Sequence, residues 1–249
     1  MTQARALGFA ERVAAVCARV LGDVVRSVIL HGSLALGDYV PGRSDIDLLV
    51  IVDRPLARAE MEALTRALVV AQAHAPACVD LRVATTAVAG APPELPPMEL
   101  YVALDPNAEP EIVVRHPGES DLLVELSLCR ERGTALRGAA PRAVIGEVPD
   151  RWVLRVGDAQ LARWQALTDD AGHAALMVLT ACRIWRFSEQ RIHCSKSAAG
   201  TWALERDASL RAVRAALRQR SGEDARIEPS DISRVLEIAR TSVATTAQT

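Results

Sequence analysis

Apolar residues recur at helical spacing over residues 3–22, where Leu7, Ala10, Val13, Ala14, Val16, Cys17, Val20 and Leu21 share a face and Gly22 offers a stop. "VVRSVIL" (24–30) and "IDLLVIV" (46–52) are short apolar runs, the pattern of strands buried on both sides. Between and after them lie polar turns, and Pro55 precedes a second helical stretch over 56–74. "CVDLRVATTAV" (78–88) alternates, with Val79, Leu81 and Val83 on one face and Asp80 and Arg82 on the other, which predicts a half-buried strand. "AGAPPELPP" (89–97) is a Pro-rich loop, and 99–105 and 111–116 are short strands.

After His116-Pro117-Gly118 the pattern changes. "ESDLLVELSLCRERG" has helical period behind an N-cap-like Ser120-Asp121, and helices are predicted over 151–168, 171–190, 197–206, 208–220 and 229–246. The pattern therefore predicts an α+β chain in two domains. Residues 1–118 form a mixed sheet with helices, and residues 119–249 form an α-helical bundle.

Half of the 249 residues are hydrophobic, enough for a sizeable core, and no apolar run reaches the ~20 residues of a membrane span. A net charge of −2 gives no nucleic-acid signature. The charge is uneven. Residues 1–120 carry ten Arg against fifteen Asp and Glu, whereas 121–249 carry nineteen basic and sixteen acidic residues. An acidic half beside a basic half suits a cationic substrate together with a polyphosphate. The five cysteines, Cys17, Cys78, Cys129, Cys182 and Cys194, have no zinc-site spacing and are expected to be free thiols. Arg5, Glu11 and Arg12 break any signal-peptide pattern. A soluble, cytoplasmic protein that binds neither membrane nor nucleic acid is expected.

The chemistry concentrates in "ILHGSLALGDYVPGRSDIDLLVIVD" (29–53). Asp45 and Asp47 are two apart on a strand and point to the same side. Two carboxylates so placed repel one another, and a divalent cation relieves that repulsion. Hard oxygen ligands select Mg²⁺, which completes its shell with water and substrate phosphates. Gly32 allows close backbone approach, and Ser33 brings a hydroxyl and N–H groups suited to phosphate. Asp38 and Asp53 lie off the pattern. A third carboxylate is expected from a neighbouring strand, with Asp80 the candidate and Glu94 and Glu99 in reserve.

Strand, Gly-Ser, about a dozen residues, then Asp-x-Asp on the next strand resembles the motif of polymerase-β-like nucleotidyltransferases. "VLTACRIW" (178–185), "SKSAAGTWALER" (195–206) and "DLLVELSLCRERGTALRG" (121–138) narrow the likeness. They are similar to the C-terminal domain of aminoglycoside nucleotidyltransferases, above all the streptomycin/spectinomycin adenylyltransferases, with 121–138 as that domain's first helix. The resemblance implies transfer of AMP from ATP to a hydroxyl of an aminoglycoside, releasing pyrophosphate and conferring resistance, by a monomer. It makes Asp45 and Asp47 metal ligands and Asp80 the catalytic base, where the family has a glutamate. It makes Arg183 and Lys196 phosphate ligands, and it places Trp164 and Asp169 at a streptomycin site. His173 falls where the family has an acidic drug ligand. The family's drug-contacting tryptophan is replaced by Tyr101 and Asp105, and its ATP-binding tyrosine near 208–222 is absent. Lys196 has separate support, being the one lysine beside twenty-eight arginines. The alternatives are a related enzyme with another small-molecule or protein hydroxyl as acceptor, or a non-catalytic nucleotide-binding module.

Overall fold

The computed structural model describes residues 2–73 and 77–246. The chain forms two compact units that divide between Val148 and Pro149.

In the first unit, helix α1 (Gln3–Leu21) leads into strand β1 (Val25–His31), a four-residue helix α2 (Gly32–Ala35) and strand β2 (Ile46–Val52). Helix α3 (Arg58–Ala73) then crosses to β3 (Val79–Thr85), the connection that a parallel β2–β3 pair requires. The predicted end of this helix, residue 74, lies outside the described residues. Short helix α4 (Thr86–Gly90), strands β4 (Met98–Leu104) and β5 (Glu111–His116), helix α5 (Ser120–Arg132), strand β6 (Thr134–Gly138) and helix α6 (Pro141–Val144) complete the unit. The six-stranded sheet has the order β5-β4-β3-β2-β1-β6, antiparallel except for β2–β3.

β2 is covered on both faces, which is why it reads as an unbroken apolar run. Leu48, Val50 and Val52 join Leu81 and Val83 in a core with Phe9, Val13 and Cys17 of α1 and Leu64 and Leu68 of α3. Leu49 and Ile51 join Ile29 and Ala84 in a second core with Leu122, Leu126 and Cys129 of α5. Burying each such side chain contributes roughly 1.5–3 kcal/mol. A slip of one residue would exchange the two sets, so packing fixes the register and with it the side to which Asp47 points. Asp47 and Asp80 share the parity of Leu49 and Ala84 and face α5.

Three expectations change here. The stretch 121–138 is not one helix: α5 ends at Arg132 and β6 follows. Gly133 makes the turn, its N–H donating to the Cys129 carbonyl at 2.9 Å, and a Cβ there would lie 2.7 Å from Cγ2 of Ile29. β6 then pairs with the open edge of β1, Leu30 opposite Thr134. The boundary expected at 118/119 consequently falls inside the first unit, because α5 covers the sheet and β6 extends it. The N-cap of α5 is Glu119, whose carboxylate accepts from the Asp121 N–H, rather than Ser120.

The second unit is helical throughout its regular structure: α7 (Asp150–Trp164), α8 (Ala174–Gln190), α9 (Lys196–Arg206), α10 (Arg211–Arg220) and α11 (Pro229–Thr246). The apolar helix α8 is central and packs on the other four, which explains why polar residues are sparse along it. Trp185 meets Trp202 edge to face at 5.0 Å, and Arg206 lies 3.7 Å over the Trp202 ring. None of the five cysteines is in a disulfide, and no helix among the described residues is long and apolar enough to cross a membrane.

Candidate active site

β1 ends at His31, opposite Asp47 in the antiparallel register, and the chain turns at once into Gly32 and Ser33. Gly32 has φ +64°, and a Cβ built on it would lie 1.8 Å from Oδ2 of Asp47. Only glycine fits both the backbone conformation and the space. Ser33 Oγ is buried and has no hydrogen-bond partner among the described residues. Asp45 sits just before β2, beside Cys78, whose thiol is pushed up to about 11 by burial and by the Asp45 charge.

Asp80, the candidate third carboxylate, stands opposite Asp47 in the parallel β2–β3 register. Glu99, one of the reserves, is instead turned to structure, accepting from the Leu56 N–H at 3.1 Å. Asp80 is held at both oxygens. Arg82 Nη1 donates to Oδ1 at 2.8 Å, and the Tyr101 hydroxyl donates to Oδ2 at 3.2 Å. Burial pushes the Asp80 carboxyl above its ordinary range. Arg82 and Tyr101 pull it down, and the charges of Asp45 and Asp121 push it further up.

Two of these contacts were not legible as site features. The face of β3 carrying Asp80 and Arg82 is largely covered, because α5 lies over it, and the Arg82 side chain is only 11% exposed. Arg82 also forms an ion pair with Glu125 of α5. Burial lifts the Glu125 carboxyl well above the usual carboxylate range; Arg82 opposes this, and Asp80, Asp47 and Asp121 reinforce it. A signal existed in the sequence. Glu125 interrupts the apolar stripe Leu122-Leu126-Cys129, where a lone carboxylate needs a buried partner.

This donor set fits a divalent cation with a phosphate-bearing ligand. Asp45 and Asp47 are hard oxygen donors, the Gly32 backbone lies against Asp47, and the Ser33 hydroxyl is buried and unpaired. Among the described residues no group of three or more His, Cys, Asp or Glu is arranged to hold a metal ion. A cation on the Asp45–Asp47 pair would therefore complete its shell with phosphate oxygens and water.

The remaining predicted residues lie in the second unit. Arg183 is half-buried midway along α8. Lys196 is the first residue of α9, whose N-cap Ser195 accepts from the Ala198 N–H at 3.2 Å. Arg220 reaches the same turn, donating to Ser197 Oγ at 3.1 Å. Two cations thus gather where the helix dipole is already positive, and α9 has no acid in its first turn. Trp164 ends α7, partly buried against the core. Asp169 is exposed in the following loop. His173 is the residue before α8, with Nδ1 2.6 Å from Asp170 Oδ2. Asp170 is held below the usual carboxylate range by that bond.

Residues 12–95, which carry the strand-turn-strand with its paired carboxylates, match the nucleotidyltransferase domain family. Residues 143–245 match the aminoglycoside adenylyltransferase C-terminal domain. With both domains in this order, the chain belongs to the aminoglycoside adenylyltransferase family of nucleotidyltransferases. Its fold is similar to that of the spectinomycin adenyltransferase AAD(9) from Enterococcus faecialis, solved with ATP and spectinomycin. The TM-score is 0.72 at 15% identity, covering 97% of this chain and 98% of that one. A toxin-antitoxin structure with AMP-PNP matches at a TM-score of only 0.30, with 16% identity over 64% of this chain and 96% of that one, and carries no weight. At 15% identity the likeness to AAD(9) establishes the fold and not the substrate.

Proposed function

We propose that the protein transfers AMP from ATP to a hydroxyl of an aminoglycoside antibiotic, with streptomycin the first candidate and spectinomycin the second. The observation that carries this reading is the register pairing of Asp47 with Asp80 beside the Gly32-Ser33 turn, in a chain whose C-terminal domain is of the aminoglycoside adenylyltransferase type.

Asp45 and Asp47 would hold Mg²⁺, which when bound neutralises phosphate charge and orients the triphosphate. Ser33 Oγ and the backbone at Gly32 bind phosphate oxygens. Asp80 accepts the proton of the acceptor hydroxyl, and a carboxyl with a raised pKa suits that task near neutral pH. The acceptor oxygen forms its bond to the α-phosphorus, the bond from that phosphorus to the bridging oxygen breaks, and pyrophosphate leaves. Arg183 and Lys196 bind phosphate, and Trp164 and Asp169 bind the drug.

Purified protein with ATP, Mg²⁺ and each drug should release pyrophosphate, and Asp47→Asn should abolish it while leaving a folded protein. Release with neither drug, alongside release with another acceptor, removes the aminoglycoside reading and leaves the nucleotidyltransferase. Undiminished turnover in a folded Asp47→Asn protein removes the mechanism.

A further inference from the structure

We propose that Glu125 is a positioning residue that sets the geometry of Asp80 through Arg82. The inference rests on the reading of Asp80 as the base.

The four groups form one frame on three elements. Glu125 comes from α5, Asp80 and Arg82 from β3, and Tyr101 from β4, where it stands opposite Arg82 in the antiparallel register. Nη1 of Arg82 bridges Asp80 and Glu125, and the guanidinium carbon lies 4.5 Å from the centre of the Tyr101 ring. Side-chain exposure rises from 11% at Arg82 to 18% at Glu125 and 25% at Asp80, so the guanidinium is the most buried of the three and the carboxylate that would meet the acceptor the most exposed.

Glu125 has two effects on this frame. It anchors a buried guanidinium that would otherwise have one carboxylate partner, Asp80. It also shares the Arg82 charge, so that the cation orients Asp80 without serving as its sole counterion. An aspartate reaches one methylene less far than a glutamate, and a carboxylate held at both oxygens by Arg82 and Tyr101 depends on that frame for its aim. Arg82 Nε and Glu125 Oε2 are buried without partners among the described residues, so the frame hangs on the single Nη1 bridge and is sensitive to its loss.

Two arms test this. In the first, Glu125→Gln, which keeps size and loses charge, should lower kcat about 10- to 100-fold with an unchanged KM for ATP. Glu125→Asp should restore part of the loss. In an Asp80→Asn background, Glu125→Gln should cost nothing further, because its effect passes through Asp80. In the second arm, which needs no acceptor, the crystal structure of Glu125→Gln should show the Asp80 carboxylate turned away from Tyr101. Wild-type kcat, the same loss in the Asp80→Asn background as in the wild type, or an unmoved Asp80 would overturn the proposal. Should Glu125→Gln fail to fold, Glu125→Asp, which keeps the charge and shortens the reach, replaces it, with a smaller loss of kcat that likewise vanishes in the Asp80→Asn background. Wild-type turnover in Asp80→Asn alone would instead overturn the assignment of the base, a result separable from the others.

Discussion

A methyl carbon placed on Gly32 lies 1.8 Å from Oδ2 of Asp47 and 2.5 Å from its Cγ, and Gly32 has φ +64°. The glycine and the aspartate therefore occupy one another's only available space. Gly32→Ala must either push Asp47 aside or shift the start of α2. The left-handed backbone alone costs an L-residue about 1–2 kcal/mol. The variant should melt several degrees lower and lose most of its pyrophosphate release. Thermal denaturation and a turnover assay check both, and an alanine variant with wild-type melting and wild-type rate would show that the close approach is not functional.

The parts of this site that are neighbours in sequence were the parts that could be read from it. Gly32, Ser33, Asp45 and Asp47 belong to one hairpin, and the apolar run 46–52 fixed their strand to the residue. Asp80 followed because strand alternation gave it a face. What that face meets depended on α5, packed over the sheet from beyond residue 118, so neither Arg82 nor Glu125 was read as a site residue. β6 escaped for a related reason. "TALRG" is an edge strand with at most partial burial, and its only clear signal is its partner β1. The domain boundary moved with it. In the second unit the helices were legible from their period, but His173 and Asp170 form a pair that no spacing rule announces.

Glu60 closes the N-terminus of α3. Its carboxylate accepts from both Nη atoms of Arg54, at 2.9 and 2.8 Å, and from the Ala57 N–H at 2.7 Å. Arg54 first, and the Ala57 N–H second, lower its pKa to about 2. A depressed folded-state pKa contributes stability above the unfolded value near 4.5 and loses it as the pH falls toward 2. Glu60→Gln should therefore destabilise the protein by about 1 kcal/mol at pH 7. The gap from wild type should close over that acidic window. Denaturant melts at pH 7 and across it check this; a gap that stays constant as the pH falls would mean that the carboxylate charge is not the cause.

Lys196 is placed against its own helix. A cation at the first position of α9 meets the positive end of the dipole. Lys196→Ala should leave a folded protein. It should weaken ATP binding or slow transfer by roughly 1–3 kcal/mol, the range of a charge-assisted hydrogen bond. Lys196→Arg should restore only part of this, since a planar fork does not reproduce a compact ammonium. Calorimetric titration with ATP and a melting curve separate the two effects. A variant that melts lower and binds ATP as the wild type does would assign the lysine to structure.

Trp164 and Asp169 bear on which drug is used. Neither Asp169 nor Asp170 caps α8, because the helix begins at Ala174 behind His173. Asp170 is engaged by the His173 imidazole, whereas Asp169 is exposed and its side chain has no partner among the described residues. Of two adjacent acids, one is held and one is available to a ligand. Streptomycin carries two guanidinium groups, and a fork-shaped cation pairs with a carboxylate and stacks on an indole. Spectinomycin has no guanidinium, and the position where the family places an acid for it is His173, already bonded to Asp170. Asp169→Ala should thus lower kcat/KM for streptomycin about 10- to 100-fold, and for spectinomycin, if it is accepted, by less than about threefold. Trp164→Ala should follow the same ranking but also melt lower, because the indole is partly buried against the helical core. Pyrophosphate release measured for both variants with both drugs decides the matter. Equal losses for the two drugs, or none for either, would remove Asp169 from the drug site.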